Sequence, residues 1–228
     1  MMERIPQRLD EPIIVAEDLG HRFPPAPFLW RHLSFHVYAG EVVAVCGRSG
    51  CGKSTLLSII AGWQKPCEGI CRHNGTKVNW VFQNPYGAAY RTALDIASYP
   101  LLCLGMNRAE AELEAHRTLD MFALTNREHT LFSALSGGEA QRLMLARAIN
   151  AHPDVLLVDE PTAQLDNSTS QLVNASLAHL ACNGAAVLVA THDPQTRQAC
   201  DRVLDLNSYG TAGGNDNALS VSSTAESR

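Results

Sequence analysis

Short apolar runs alternate with amphipathic segments along most of the chain, and this alternation predicts strands and helices in turn. β-branched runs broken by turn residues predict strands within 13–23 and 33–47. The segment KVNWVFQN predicts another strand, which ends at Gln83. The runs PDVLLVDEP and AAVLVATHD are continuously apolar, which is typical of parallel strands covered on both faces. CDRVLDL predicts a late strand.

Three segments have the three- and four-residue apolar spacing of a helix. KSTLLSIIAGW places Leu56, Ile59 and Ile60 on one face, and Gly62 can end this helix. Residues 93–124 and the segment NSTSQLVNASLAHLACNG have the same character. Strands that alternate with helices predict an α/β fold with a largely parallel core sheet. A mainly α-helical subdomain is predicted at about 88–145.

The two ends of the chain depart from this pattern. Residues 1–11 are expected to form a flexible arm. Residues 207–228 are rich in Gly, Ser, Asn and Thr, and we expect them to be disordered. The predicted folded domain therefore covers residues 12–206.

Composition and charge narrow the classes of protein. The 228 residues are 46% hydrophobic and 18% charged, which is typical of one folded domain. A net charge of -5 gives no basic surface for nucleic acid. No apolar run approaches the roughly 18 residues of a membrane span, and no signal-peptide core is evident. A cytoplasmic protein is expected.

The seven cysteines are an odd number and are scattered among apolar residues. This usage favours free buried thiols in a reducing compartment. Cys67 and Cys71 are four residues apart, so a pair of metal ligands is the alternative. No second pair with suitable spacing completes such a site.

A glycine-rich loop separates a predicted strand from the first predicted helix. Its sequence GRSGCGKST satisfies G-x-x-x-x-G-K-S/T in the strand–helix context that this phosphate-binding pattern requires. The glycines let successive backbone N–H groups point into one concavity, next to a helix N-terminus. Lys53 is expected to reach the β- and γ-phosphates and Ser54 to bind Mg²⁺. The predicted phosphate-binding residues are Gly47, Arg48, Ser49, Gly50, Cys51, Gly52, Lys53, Ser54 and Thr55.

Polar side chains at the ends of three other strands are candidates for the same site. Asp159 ends a buried strand, where a carboxylate can hold the metal, and Glu160 follows at once. Glu160 can orient the attacking water or accept its proton. Gln83 can reach the metal or water, and His192 can bond to the γ-phosphate. Taken alone, Gln83 is as well explained as a solvated strand end and His192 as a structural histidine.

A second set of backbone donors occurs in ALSGGEAQRLMLARAI, where Ser136, Gly137 and Gly138 begin an amphipathic helix. The local alternative is a capping box, with Ser136 as N-cap and Glu139 three residues later. A capping box does not require two glycines, each of which weakens a helix by roughly 1 kcal/mol relative to Ala. A close approach of the backbone to another group explains them.

The order of these motifs resembles that of the ATP-binding subunits of ABC (ATP-binding cassette) transporters. The resemblance extends from about residue 13 to residue 206 and includes the phosphate loop, VFQN, LSGGE, VLLVDEP, PTAQLD and THD. It implies an ABC-type P-loop fold, with a mainly parallel core sheet, a small antiparallel β subdomain and an inserted helical subdomain. It also implies an ATPase that uses Mg²⁺.

In this family two cassettes dimerise head to tail. Each ATP then lies between the phosphate loop of one copy and the LSGGE motif, called the signature, of the other copy. The resemblance implies that Phe23 stacks on adenine and that Asp166 lies at the dimer seam. Gln83 would link the nucleotide to a membrane subunit. The implied catalytic residues are Glu160, His192 and Gln83, the implied metal ligands are Ser54, Gln83 and Asp159, and the implied contacts to the ATP of the opposite copy are Ser136, Gly137, Gly138 and Glu139.

The implied partners are a second copy of the chain and a transmembrane permease, with no nucleic acid. The chain would then lie at the inner face of the plasma membrane, held there by the permease. The segments 93–124 and 190–206 look like the cassettes of lipoprotein-releasing and macrolide- or peptide-exporting systems. No long regulatory domain is expected after them. Export of a peptide, lipid or drug-like substrate is therefore expected.

Three departures from the family pattern are evident. The fifth signature residue is Glu139 where Gln is commonest, and Gln164 replaces a small residue or Asn. The short interval from Lys53 to Gln83 implies a trimmed β subdomain. Two other functions stay open: a soluble ABC ATPase in an assembly complex, and a degenerate cassette that binds ATP without turnover. Lys53, Asp159, Glu160 and His192 argue against the second.

Overall fold

The computed structural model describes residues 11–75, 77–163 and 165–210, and within them eight strands and six α-helices alternate. The strands are β1 (Ile14–His21), β2 (Trp30–Val37), β3 (Val42–Cys46), β4 (Glu68–His73), β5 (Val78–Val81), β6 (Val155–Asp159), β7 (Ala186–Ala190) and β8 (Arg202–Asp205). The helices are α1 (Lys53–Ile60), α2 (Ala93–Cys103), α3 (Arg108–Met121), α4 (Gly137–Asn150), α5 (Asn167–Cys182) and α6 (Pro194–Gln198).

The core is a five-stranded sheet in the order β5-β6-β7-β3-β8, and every pairing within it is parallel. Strands β3, β6 and β7 are buried along their whole length, as their continuous apolar runs predict. Successive β7 residues enter different core clusters: Val187 packs with the α2–α5 side and Leu188 with the α1 side. The prediction of an α/β fold with a parallel core is therefore confirmed.

A smaller antiparallel sheet, in the order β2-β1-β4, packs on the α1 side of the core. Its strand β4 is absent from the sequence prediction, because its exposed and half-buried residues give it no apolar run. Pairing with β1 defines β4, and the bidentate contact of Arg31 with Glu68 links it to β2 across the sheet.

Helices α2, α3 and α4 pack on one another beyond one face of the parallel sheet. The N-termini of α2 and α3 are fixed by capping boxes, Thr92 with Asp95 and Asn107 with Glu110. A buried polar contact joins α3 and α4, because the Thr118 hydroxyl donates to Asn150 at 2.6 Å. This unit contains the helix that begins at the second glycine motif.

Besides strand β4, the structure differs from the sequence prediction at three places. Strand β5 ends at Val81, so Gln83 lies in the loop that follows and not at the strand end. Helix α6 was not predicted. A 3₁₀ helix at Leu206–Tyr209 occupies the start of the segment predicted to be disordered. Residues 1–10, 211–228 and Gln164 lie outside the described residues. Among the described residues, no helix is both long enough and apolar enough to cross a membrane.

Candidate functional site

The loop at 47–52 connects the end of β3 to the start of α1 and has an unusual backbone. Gly47, Gly50 and Gly52 have φ angles of +150°, +76° and +96°. Gly52 is the N-cap of α1 and provides no side-chain cap, so the first N–H groups of the helix stay free for an anion. A Cβ atom at Gly52 would lie 2.8 Å from Nε1 of the buried Trp30, so the backbone approaches the core too closely for any other residue.

Lys53 places its ammonium group between the loop and the end of β6. Its Nζ donates to the Gly47 carbonyl at 3.3 Å and lies 3.7 Å from the Glu160 Oε1. Both side chains of this ion pair are about one-tenth exposed. The positive charge is therefore held at the wall of the loop, where it can meet phosphate oxygens.

Ser54 and Asp159 bring two oxygen atoms together beneath the loop. The Ser54 hydroxyl donates to Asp159 Oδ2 at 2.5 Å. Burial raises the pKa of Asp159, and the hydrogen bond from Ser54 lowers it in part. A hydroxyl and a carboxylate in contact are hard oxygen donors, the kind that Mg²⁺ prefers.

Glu160 follows Asp159 in a left-handed backbone conformation, with φ of +47°. Its side chain is 9% exposed, and its Oε2 accepts from the His192 backbone N–H at 3.3 Å. The His192 Nδ1 lies 2.8 Å from the same oxygen. Glu160 is therefore fixed between Lys53 and His192, which follow the carboxyl ends of two different strands, β3 and β7.

These groups surround one open cavity of about 760 Å³. Its lining includes residues 47–50 and 52–55 of the glycine loop, Phe23, Leu29, Gln83, Asp159, Glu160 and His192. Phe23 is half-exposed, and its ring meets the edge of His21 with 4.9 Å between centroids. Gln83 is exposed at the cavity from its loop position. Sequence analysis missed Leu29, which gives no signal in the local pattern.

The second glycine motif forms the N-terminus of α4. Ser136 Oγ accepts from the Glu139 N–H at 3.3 Å, and the Glu139 carboxylate accepts from the Ser136 N–H at 2.8 Å. Arg127 also donates to Glu139 at 2.8 Å. These contacts, first the backbone bond from Ser136, lower the pKa of Glu139. The capping box is therefore present, and it gives the unusual Glu139 a structural purpose.

The motif is, however, not part of the cavity described above. None of the cavity's lining residues, among those that the structure describes, belongs to 136–139. Ser136 and Gly137 are exposed to solvent. One copy of the chain thus presents two separate groups of backbone donors.

Asp166 likewise lies outside that lining and caps α5. Hydrogen bonds from the hydroxyl of Ser168, and from the backbone and hydroxyl of Thr169, hold the pKa of Asp166 well below its usual range. An exposed, firmly ionised carboxylate is thus fixed next to the loop that follows Glu160.

The cysteines form no comparable site. All seven are free, and among the residues in 11–75, 77–163 and 165–210 no three His, Cys, Asp or Glu side chains gather as a metal site. Burial raises the pKa of the Cys71 thiol to about 11. Cys67 and Cys71, the alternative pair of metal ligands, belong to no such group in this part of the chain.

The chain is similar to several known proteins. A family model described as ABC transporter matches residues 30–163. The lipoprotein-releasing system ATP-binding protein LolD of Koribacter versatilis (strain Ellin345) is 37% identical over 78% of this chain and 87% of its own length. The macrolide export ATP-binding/permease protein MacB of Escherichia coli (strain K12) is 31% identical over 86% of this chain. This chain spans about a third (33%) of MacB.

Solved structures of ABC cassettes and transporters are also similar to this chain. The ATP-binding cassette MJ0796, in a dimeric post-hydrolysis state bound to ADP and Pi, matches 84% of this chain and 93% of its own. The identity is 27% and the TM-score 0.76. A putative metal-chelate type ABC transporter in an inward-facing conformation matches 86% of this chain and 80% of its own, at 29% identity and a TM-score of 0.74.

Proposed function

The chain belongs to the ABC transporter family, and on that premise we propose that it is the ATP-hydrolysing subunit of an exporter with a separate membrane permease. One observation supports this most strongly: the glycine loop, Asp159, Glu160 and His192 line one cavity. Hydrolysis of a nucleoside triphosphate requires such a combination: backbone donors and a cation to bind the phosphates, and carboxylates to hold the metal and the attacking water.

Different residues of the cavity have different roles in hydrolysis. The loop N–H groups and Lys53 bind the phosphates and stabilise the charge that develops on them. Glu160 orients the attacking water and accepts its proton, and His192 holds that carboxylate through the 2.8 Å contact. Phe23, half-exposed at the cavity wall, offers a flat face to the adenine ring.

Ser54 and Asp159 would hold Mg²⁺, with Gln83 at the same cavity as a third oxygen donor. An ion held by these residues would neutralise part of the phosphate charge. The 2.5 Å contact between the Ser54 and Asp159 oxygens supports this assignment, because both atoms already converge on one point.

The separation of the signature from the cavity supports a dimer in which ATP is bound between two copies. In a two-fold pair, the exposed α4 N-terminus of one copy can face the loop of the other, and the contact is made twice. Each site then combines backbone donors from both chains. The dimeric state of MJ0796 is a solved example of a dimer among similar cassettes.

A docking surface for the permease lies next to Gln83. A groove of about 380 Å³ runs between β5 and the α2–α4 unit, and its lining includes Trp63, Tyr86 and Tyr99, which are 68%, 87% and 60% exposed. Trp63, Trp80 and Phe82 form one cluster in which each ring contacts the other two, with 4.9–5.7 Å between centroids. A cluster of exposed and partly exposed aromatic rings is typical of a protein–protein interface.

The permease would place this chain at the inner face of the membrane. MacB contains ATP-binding and permease parts in one protein, whereas LolD is named as an ATP-binding protein of a releasing system. These relatives support export of a lipid, peptide or drug-like substrate.

The first test is ATP hydrolysis by the purified chain. We expect phosphate release that requires Mg²⁺ and stops with EDTA. Lys53→Ala should lower the rate by about 100-fold, because one lost charge contact in a phosphoryl-transfer site has an effect of this order. Lys65→Ala, at an exposed position, is the control and should leave the rate unchanged. Full activity of Lys53→Ala would contradict the assigned site.

The second test addresses the permease. Co-purification in detergent with the membrane protein encoded by the adjacent gene should be lost in Tyr99→Asp, since a charge would enter the aromatic groove. Tyr90→Asp is the matched control, because Tyr90 is 89% exposed and does not line this groove. A stable soluble complex without any membrane protein would instead favour the assembly ATPase.

A further inference from the structure

Asn207 contacts the glycine loop from the opposite end of the chain. It belongs to the 3₁₀ helix at Leu206–Tyr209, which follows β8. Its Oδ1 accepts a hydrogen bond from the Arg48 backbone N–H at 3.2 Å. Neither the family match at 30–163 nor the motifs of the sequence include this residue.

The Asn207 side chain is itself held in one orientation. Asp205 Oδ1 accepts from the Asn207 Nδ2 at 2.9 Å and from the Asn207 backbone N–H at 3.0 Å. Because Asp205 accepts from the Asn207 amide nitrogen, the amide is oriented with its carbonyl oxygen toward Arg48. Leu206, which is 1% exposed, anchors the 3₁₀ helix in the core beside Gly47. The Asn207 Oδ1 is therefore held in a fixed position relative to the loop.

The hydrogen bond acts on one peptide group of the loop. The N–H of Arg48 and the carbonyl of Gly47 belong to the same peptide plane and point in opposite directions. The N–H is bound by Asn207, and the carbonyl accepts from Lys53 Nζ at 3.3 Å. Gly47 has no Cβ to restrict the rotation of this plane. A partner outside the loop therefore determines which way the carbonyl points.

We propose that Asn207 is a positioning residue for ATP binding, since it fixes the Gly47–Arg48 peptide and so sets the place of the Lys53 ammonium group. The proposal rests on the proposed function of the glycine loop as the phosphate site. Asn207 acts without touching the phosphates. It acts through the peptide plane, and one of the three Lys53 donors stays on Gly47 while the others face the cavity.

The test compares Asn207→Ala with Ser208→Ala, an exposed neighbour in the same 3₁₀ turn. A lost neutral hydrogen bond corresponds to roughly a two- to tenfold change in an equilibrium. We expect KM for ATP and Kd for ADP to rise by about this factor in Asn207→Ala, with kcat within about twofold, because substrate and transition state lose the same contact. Ser208→Ala should change none of them.

A second measurement follows the hydrogen bond directly. Hydrogen exchange of the Arg48 amide, measured by ¹⁵N NMR, should be faster in Asn207→Ala and unchanged in Ser208→Ala. An unchanged KM, or an unchanged Arg48 exchange rate, would overturn the positioning role. If the wild-type chain binds ATP, either of these two results overturns the positioning role of Asn207 and leaves the proposed function intact. A wild-type chain that binds no ATP would overturn the proposed function as well.

Discussion

Replacement of Glu160 by Gln is expected to lower steady ATP hydrolysis by about 100-fold or more while ATP still binds. A general base contributes on the order of 10²- to 10⁴-fold, and an amide of the same shape cannot accept the proton of the attacking water. The backbone N–H groups of the loop do not depend on this carboxylate's charge, and the Gly47 carbonyl still holds Lys53 when the ion pair with Glu160 is lost. ATP is therefore expected to accumulate unhydrolysed, and dimers that form only with ATP should become stable enough to isolate.

The measurement combines phosphate release with gel filtration in the presence and absence of MgATP. Glu114→Gln, on the exposed side of α3, is a matched control and should behave as the wild type in both assays. Phosphate release at the wild-type rate in Glu160→Gln would remove Glu160 from its assigned role. Loss of hydrolysis without any ATP-dependent dimer would contradict the proposed ATP-bound pair instead.

The parallel core and its ligand-facing loops could be predicted because the signal is local. Strands β3, β6 and β7 are buried throughout, so their residues are apolar except for Asp159 at the end of β6. Parallel strands end at the same edge of a sheet, so Asp159, Glu160 and His192 had to lie near the glycine loop. The distances among Lys53, Glu160 and His192 agree with that expectation.

Other features depend on contacts between distant parts of the chain. Strand β4 has exposed and half-buried residues and is defined by its pairing with β1, which no local pattern reveals. Asn207 lies in a polar segment that predicts disorder, yet Asp205 caps its turn and Leu206 anchors it. Asp-x-Asn after a strand is a turn signal that could have been recognised. The partner of its carbonyl, 159 residues earlier, could not.

The two glycines of the second glycine motif, Gly137 and Gly138, are not explained by contacts within one copy of the chain. The Ser136–Glu139 capping box accounts for the two polar residues but for neither glycine. A bare backbone at the exposed start of α4 is suited to contact a phosphate group, and the chain's own cavity is lined by other residues. The dimer is the arrangement that uses both observations.

Gly137→Asp is accordingly expected to abolish turnover, by about 100-fold or more, while the monomer still binds ATP. Gly137 is the first residue of α4, and an acidic residue in the first turn favours the helix dipole, so the fold of the single chain should not suffer. In the dimer the same carboxylate would face the γ-phosphate held by the other copy. These two negative charges would repel each other at short range with little water between them, and the repulsion would oppose closure of the two copies around ATP.

Gly137→Asn separates this charge effect from the added bulk, because asparagine has the same shape without the charge. We expect Gly137→Asn to retain clearly more ATPase activity than Gly137→Asp, and both variants to bind ATP as monomers with the wild-type Kd, measured by calorimetry at low protein concentration. Equal loss in the two variants would assign the effect to size alone. Loss of nucleotide binding by the Gly137→Asp monomer, with a lower Tm, would mean that the motif acts within its own chain, and the site shared between two copies would have to be abandoned.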